Sequence, residues 1–90
     1  MSVEVRIPTI LRSYTGGEKA VEGAGATLDE LVLDLEQRNP GLRDRIVEDG
    51  QLRRFVNVYV GEDDVRFSEG LQTATPDGAT VSIIPAVAGG

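Results

Sequence analysis

The residues best placed to do chemistry are the last two, Gly89 and Gly90. Neither carries a side chain, so the pair can enter a slot that would exclude any other two residues. The carboxylate of Gly90 would then be the reactive group. An extended segment over residues 85–90 reaches about 20 Å. Because a frayed chain end tolerates any sequence, the two glycines indicate a function only if the preceding domain is one that presents such a tail.

The amino-acid composition narrows the chemistry that the chain itself can perform. It contains no Cys and no His, which argues against the usual zinc, iron–sulfur and haem sites and against thiol nucleophiles and imidazole bases. We therefore expect no metal site, no bound cofactor and no catalytic residue. The formal net charge of −6 disfavours nucleic acid, which needs a basic surface. It favours a partner with a basic docking surface.

Targeting and membrane signals are also missing from the sequence. The first residues, Met-Ser-Val-Glu, form neither a basic nor an apolar leader region. No apolar run approaches the length of a membrane span, and a chain without Cys gives no sign of an oxidising compartment. We expect one small cytoplasmic domain that has no membrane partner.

Alternating apolar residues predict the strands. Val3, Val5 and Ile7 define a first, half-buried strand, and residues 19–22 return after a glycine turn. Residues 53–60 form the strongest strand pattern, and their side chains point alternately to two faces. Phe55, Asn57 and Tyr59 share one face, and Val56, Val58 and Val60 share the other. Residues 65–67 predict a short strand, and residues 80–84 predict the last one.

One amphipathic helix is predicted to begin after Thr27. Thr27 and Glu30 have the spacing of a capping box, and apolar residues follow at i, i+3, i+4 and i+7. These are Leu28, Leu31, Val32 and Leu35. The sequence Asn-Pro-Gly at residues 39–41 ends the helix, and residues 42–47 predict a turn or a one-turn helix. Because no second long helix is predicted, the apolar stripe must pack on a sheet.

The order of these elements predicts an α+β domain. The predicted order is strand, strand, helix, strand, short strand and strand. It fits one mixed sheet of four to five strands, with one main helix packed across one face. This is the β-grasp (ubiquitin-like) arrangement. We expect the β-grasp domain to occupy residues 1–85 and a flexible C-terminal tail, ending in Gly-Gly, to occupy residues 86–90.

Several segments that together span most of the chain carry a resemblance to a known family. They are Ile7-Pro8-Thr9-Ile10-Leu11-Arg12, Thr15-Gly16-Gly17, Arg54-Phe55-Val56-Asn57, Asp64-Val65-Arg66-Phe67, Asp77-Gly78 and Pro85-Ala86-Val87-Ala88-Gly89-Gly90. With the strand order, they resemble the ThiS/MoaD family of ubiquitin-like sulfur carriers, and within it the CysO type of actinobacterial cysteine biosynthesis. Residues 42–52 match this family least well.

The resemblance implies a chemistry in which the chain is a co-substrate and not an enzyme. Gly90 would be the adenylation and thiocarboxylate site, and the segment threaded into partner active sites would comprise Pro85, Ala86, Val87, Ala88 and Gly89. An E1-like activating enzyme of the MoeB/ThiF type would use ATP to adenylate the Gly90 carboxylate, and a sulfur donor would convert it to a thiocarboxylate. A PLP-dependent cysteine synthase would accept the sulfur, and a metalloprotease would regenerate Gly-Gly.

Three other interpretations stay open. The chain could serve another sulfur pathway, leading to molybdopterin, thiamine or a sulfur-containing secondary metabolite. It could be a ubiquitin-like modifier that is joined to lysines of target proteins. It could also be a binding-only β-grasp domain in which the Gly-Gly pair has no role.

Overall fold

The computed structural model describes residues 2–85 of the chain, and the predicted Gly-Gly tail lies outside them. The described residues form seven strands and two α-helices: β1 (Val3–Arg6), β2 (Ala20–Gly23), α1 (Leu28–Arg38), α2 (Leu42–Ile46), β3 (Val47–Glu48), β4 (Gln51–Leu52), β5 (Val56–Val60), β6 (Asp63–Asp64) and β7 (Thr80–Pro85). Short 3-10 helices at Thr9–Thr15, Val65–Phe67 and Gly70–Gln72 connect them.

Five of these strands form one mixed sheet in the order β2-β1-β7-β5-β6. The neighbours β1 and β7 run parallel, with Val5 opposite Val81, and the other neighbours are antiparallel. β3 and β4 form a separate two-stranded hairpin. The predicted β-grasp arrangement is confirmed, with β7 as the middle strand of the sheet.

The hydrophobic core lies between α1 and one face of this sheet. The four predicted stripe residues of α1 are at most 2% exposed: Leu28, Leu31, Val32 and Leu35. The sheet contributes alternate positions of its strands, including Val3, Val5, Val56, Val58, Val81 and Ile83. Gly23 of β2 allows the helix to approach closely, because a Cβ atom there would lie only 2.7 Å from Cδ1 of Leu31. The prediction that the stripe packs on the sheet is therefore confirmed.

Side chains close both ends of α1. Oγ1 of Thr27 accepts a hydrogen bond from the backbone N–H of Glu30 at 3.3 Å. The Glu30 carboxylate accepts one from the N–H of Ala26 at 3.1 Å. The predicted capping box is thus present, but its return bond reaches Ala26 and not Thr27. At the other end the side-chain amide of Asn39 donates to the carbonyl of Leu35 at 3.1 Å, and the backbone N–H of Asn39 donates to the same carbonyl at 2.8 Å, as expected where the helix stops.

A carboxylate on α1 also closes the start of α2. Glu36 accepts hydrogen bonds from the backbone N–H of Gly41 at 3.0 Å and from that of Arg43 at 2.9 Å. These two bonds hold the pKa of Glu36 below its ordinary value of 4.5, and the bond from Gly41 contributes most, because both favour the ionised form. This contact fixes α2, which carries Arg45, against the main helix.

Glu36→Gln is expected to lower the melting temperature at neutral pH, because a neutral amide is a weaker acceptor and its NH₂ group accepts nothing. The pKa is lower in the folded than in the unfolded chain. The contribution of the carboxylate is therefore present above about pH 4.5 and is lost as the pH falls through the folded value. Melting curves of the two proteins, recorded from neutral to acidic pH, should converge at the acidic end.

Glu62→Gln is the matched control for this change, since Glu62 is exposed and carries the same charge. It should leave the melting temperature unchanged at every pH. Equal melting temperatures for Glu36→Gln and the original chain at pH 7 would contradict the role given to the Glu36 carboxylate.

The predicted short strand over residues 65–67 is wrong, because Val65–Phe67 is a 3-10 helix. The carboxylate of Asp64 accepts a hydrogen bond from the N–H of Arg66 at 2.9 Å, which turns the chain away from the sheet. The strand that pairs with β5 is β6, which the sequence does not predict as a strand. Phe67 is consequently 92% exposed.

The predicted strand over residues 53–60 begins only at Val56. The N–H of Val56 donates to the carbonyl of Arg53 at 3.2 Å, so the residues between them form a turn. Asn57 and Tyr59 keep the predicted alternation. Phe55 does not, because the turn places its side chain beside core-facing residues at the end of the sheet.

Candidate functional site

The strand β7 leads directly to the segment for which chemistry is predicted. Gly90 and the other tail residues predicted to enter partner active sites lie outside the described residues, so their roles stay predictions. Pro85, predicted as the first threaded residue, lies at the end of β7 opposite Val56 of β5. A proline fits this end position because it has no N–H to donate to the sheet. The predicted boundary between domain and tail also stays a prediction.

Pairing with β5 holds the end of β7 in place. The two strands pair over five positions, from Val60 opposite Val81 to Val56 opposite Pro85. On its other side β7 pairs with β1 over residues 80–82 only, so β1 does not flank residues 83–85. The residue before the predicted tail, Pro85, is therefore fixed by β5.

The face of the sheet away from α1 is open beside the end of β7. Ile84 is 47% exposed there and lies opposite Asn57 of β5. The guanidinium of Arg66 crosses this region and donates to Oδ1 of Asn57 at 3.1 Å and to the backbone carbonyl of Arg53. These bonds hold one positive charge beside the base of the tail.

A cleft of about 300 Å³ lies on the other side of Pro85, on the side of the sheet that faces the core. We call it the Arg45 cleft. Its walls include Ile10, Arg45, Arg53, Phe55, Ile83 and Pro85. Five different parts of the chain meet here: the 3-10 helix after β1, α2, the turn before β5, β5 and β7.

The charge in the Arg45 cleft differs in sign from that of the whole chain. Its lining includes Arg45 and Arg53, and none of the described residues that line it is acidic. Nε of Arg53 donates to the carbonyl of Asp44 at 2.6 Å, and Nη1 lies 3.5 Å from the Glu48 carboxylate. Arg45 has no ion-pair partner among residues 2–85 and is exposed. The base of the tail is thus locally basic in a chain with a net charge of −6.

The sequence contains little that indicates this cleft. The adjacent residues Arg53 and Arg54 beside Phe55 are the one local signal, and the sequence pattern predicts them as part of a strand. Arg45 and Ile10 come close to each other because α2 packs beside the first 3-10 helix. No local residue pattern predicts this packing. Pro85, the one predicted site residue that lies within residues 2–85, takes part in it.

The described residues offer no arrangement typical of a metal centre. Within residues 2–85, no group of three Asp or Glu side chains is placed to hold a metal ion. Neither helix in this part of the chain is long and apolar enough to cross a membrane.

Comparison with known proteins places the chain in a family. The model of the ThiS family matches residues 5–90. The chain belongs to the ThiS family. The sulfur carrier protein CysO of Mycobacterium tuberculosis is 53% identical over 93 residues, with 100% of both chains covered. The small archaeal modifier protein 3 of Haloferax volcanii is 34% identical over 93 residues, again with 100% of both covered.

Solved structures support the same assignment to the ThiS family. The carrier in the crystal structure of the Amycolatopsis orientalis BexX/CysO complex is 56% identical and superposes with a TM-score of 0.94, covering 98% of this chain and 99% of that one. The chain in the crystal structure of Mycobacterium tuberculosis CysO is 51% identical and superposes with a TM-score of 0.92. The match covers 94% of this chain and 99% of that one. The resemblance to ubiquitin-like sulfur carriers of the CysO type is confirmed in sequence and in fold.

Proposed function

We propose that the chain is a sulfur carrier whose reactive group is a thiocarboxylate at Gly90, and that it acts in cysteine biosynthesis. The observation that carries this proposal is the 53% identity to a sulfur carrier protein CysO over the whole length of both chains. The ThiS family model extends to residue 90, so the match includes the two glycines.

The proposed chemistry begins with a carboxylate that is a poor electrophile. An E1-like activating enzyme transfers AMP from ATP to the Gly90 carboxylate, releasing pyrophosphate. A sulfur donor then displaces AMP and leaves a thiocarboxylate. A thioacid is ionised at neutral pH and is a soft nucleophile, so it needs no imidazole base beside it. This agrees with a chain that contains no His and no Cys. Because ATP is consumed by the partner enzyme, we place the reaction in the cytoplasm.

In this proposal the domain supplies position and recognition, and the partners supply catalysis. The sulfur passes to a PLP-dependent cysteine synthase, and a metalloprotease clips the product and restores Gly-Gly. The chain binds none of the cofactors itself. The central position of β7 supports this division, because the strand fixes the starting point of a tail that enters the active sites of other proteins.

The modifier interpretation has one specific observation in its favour, the 34% identity to a small archaeal modifier protein. A carrier and a modifier share the activated C-terminus and differ in where the acyl group ends. A carrier for a sulfur pathway other than that of cysteine is a narrower alternative.

The proposal is tested by intact-mass spectrometry of the chain after incubation with its activating enzyme, ATP and a sulfur donor. We expect a mass increase equal to the exchange of one oxygen for one sulfur, located at Gly90. Adding the cysteine synthase and its substrate should convert this species to a cysteinyl adduct. Reactions without ATP are the control and should give no change.

The outcomes separate the alternatives. Conjugates on lysines of other proteins, with no sulfur-containing species, would replace the carrier by the modifier. A thiocarboxylate that the cysteine synthase does not consume would move the chain to another sulfur pathway. No mass change with any candidate activating enzyme would contradict both interpretations.

A further inference from the structure

The Arg45 cleft has the shape of a receptor for a side chain and not of a catalytic site. At about 300 Å³ it is at the lower limit of ligand pockets. Apolar residues make up most of its lining, and two of them, Ile10 and Phe55, are 68% and 51% exposed. Apolar surface left open in this way is typical of binding sites.

The rim of the cleft is positively charged and therefore favours an occupant that carries negative charge. Arg45 is exposed and has no ion-pair partner among residues 2–85, whereas Arg53 is held by the Asp44 carbonyl and by Glu48. Arg54, which is also exposed, follows at once. An occupant that carried positive charge would be repelled here, although the chain as a whole attracts basic surfaces.

We infer that the Arg45 cleft is the docking site for a protein segment in which one large apolar side chain is flanked by Asp or Glu. The apolar side chain enters between Ile10 and Phe55, and the carboxylates meet Arg45 at the rim. This inference rests on the proposed function for the identity of the partner, which is an enzyme that acts on Gly90.

Position explains why such an enzyme would use this cleft. Pro85 is both a wall of the cleft and the residue after which the predicted tail begins. A protein that binds the predicted tail close to its base would therefore lie beside the cleft. The net charge of −6 then steers the approach toward a basic surface, while the local contact at the base of the tail has the opposite sign. These two charge distributions together favour one orientation of the partner as well as its approach to the chain.

The experiment is a ¹⁵N–¹H NMR titration of the full-length chain with two blocked peptides. The acidic probe is acetyl-Glu-Asp-Phe-Leu-Asp-Glu-amide, and the basic probe has the same apolar pair with Lys and Arg in place of the acids. We expect the acidic probe to shift amide signals around Ile10, Arg45 and Phe55. The shifts should weaken as salt is added, because the rim charges are screened. The basic probe should leave these signals unchanged.

Two matched pairs of variants test the two parts of the site. Arg45→Glu should weaken binding of the acidic probe about tenfold, as expected for reversing a charge in direct contact. Arg38→Glu makes the same change of net charge on α1, outside the cleft, and should not alter binding. Phe55→Ser should remove binding, whereas Phe67→Ser removes an equal aromatic group that lies outside the cleft and should have no effect.

Each outcome decides for or against the inference. Acidic-probe shifts confined to the open face of the sheet would overturn it, as would equal binding of both probes, or binding that Arg45→Glu leaves intact. Signals that move with the concentration of the free chain would instead assign the cleft to a second copy. The titration contains no ATP, enzyme or sulfur donor. Its failure therefore leaves the thiocarboxylate test untouched, and a chain that binds the acidic probe but forms no thiocarboxylate contradicts only the proposed function.

Discussion

Gly90→Val is expected to reduce thiocarboxylate formation by about 100-fold, because displacements of about 1 Å near reacting atoms cost that much in rate. Valine adds a branched side chain and restricts the backbone next to the carboxylate. Activation requires that carboxylate to reach ATP inside another protein, where walls close enough to exclude water also exclude side chains. The rate is measured by intact-mass spectrometry with the activating enzyme, ATP and a sulfur donor.

The melting temperature should stay the same in this variant, which separates a defect in chemistry from a defect in folding. The buried apolar residues of the described chain all lie between Val3 and Ile83, so the substitution at Gly90 alters none of them. Gly89→Val should act in the same direction, and Gly89→Ala more mildly. A C-terminal tag should abolish the reaction, since the carboxylate becomes an amide. A stable Gly90→Val protein with undiminished sulfur transfer would refute the tail mechanism.

Leu31→Ala is expected to cost about 2–5 kcal/mol of unfolding free energy, the range for truncating a buried leucine. Leu31 is 0% exposed and packs against Gly23, which has no side chain to fill the space that is left. The total unfolding free energy of a small domain is about 5–15 kcal/mol, so this single change removes a large part of its stability. Urea unfolding, followed by far-ultraviolet circular dichroism, gives the difference.

Leu33→Ala on the same helix is the matched control. It removes the same atoms from a side chain that is 45% exposed and lies outside the apolar stripe. Its effect should be within about 0.5 kcal/mol. Similar losses for the two variants would mean that α1 does not pack on the sheet as described.

The features that the sequence predicts correctly are those that one residue pattern specifies alone. The stripe from Leu28 to Leu35 has a helical period, so the buried face of α1 follows from spacing. The strand after Pro76-Asp77-Gly78 is β-branched and bounded by a turn, and the structure extends it by one residue to Pro85. The Thr27 cap combines a residue type with a fixed distance to Glu30.

Other features are missed for local reasons. Either a hydrogen bond overrides the residue pattern, or the element is too short to have a pattern. Val65-Arg66-Phe67 alternates like a strand, but the Asp64 carboxylate bonds the N–H of Arg66 and bends the chain first. The hairpin of β3 and β4 turns at Asp49 and Gly50, which both adopt positive φ. Its strands have two residues each, too few for a period to be recognised. Residues 9–15 form one 3-10 helix, which the sequence does not predict.

The Arg45 cleft could not be predicted for a different reason. Its residues are far apart in the sequence, from Ile10 to Pro85, and each is ordinary in its own segment. They meet because β5 and β7 lie side by side and α2 packs against the 3-10 helix that follows β1. The cleft therefore depends on the chain topology. The residue pattern of one sequence does not show which distant residues come together.

The parallel pairing of β1 with β7 has a consequence for synthesis on the ribosome. β1 is made among the first residues, yet its partner is among the last of those described, and Ser2 bonds to Asp77 across the same interval. Until β7 has been made, β1 and β5 lack the strand that joins them, and the core lacks Val81 and Ile83. A nascent chain therefore stays incomplete in structure until β7 has been made. Chains that stop before β7 would be open to proteolysis, because they cannot complete the core.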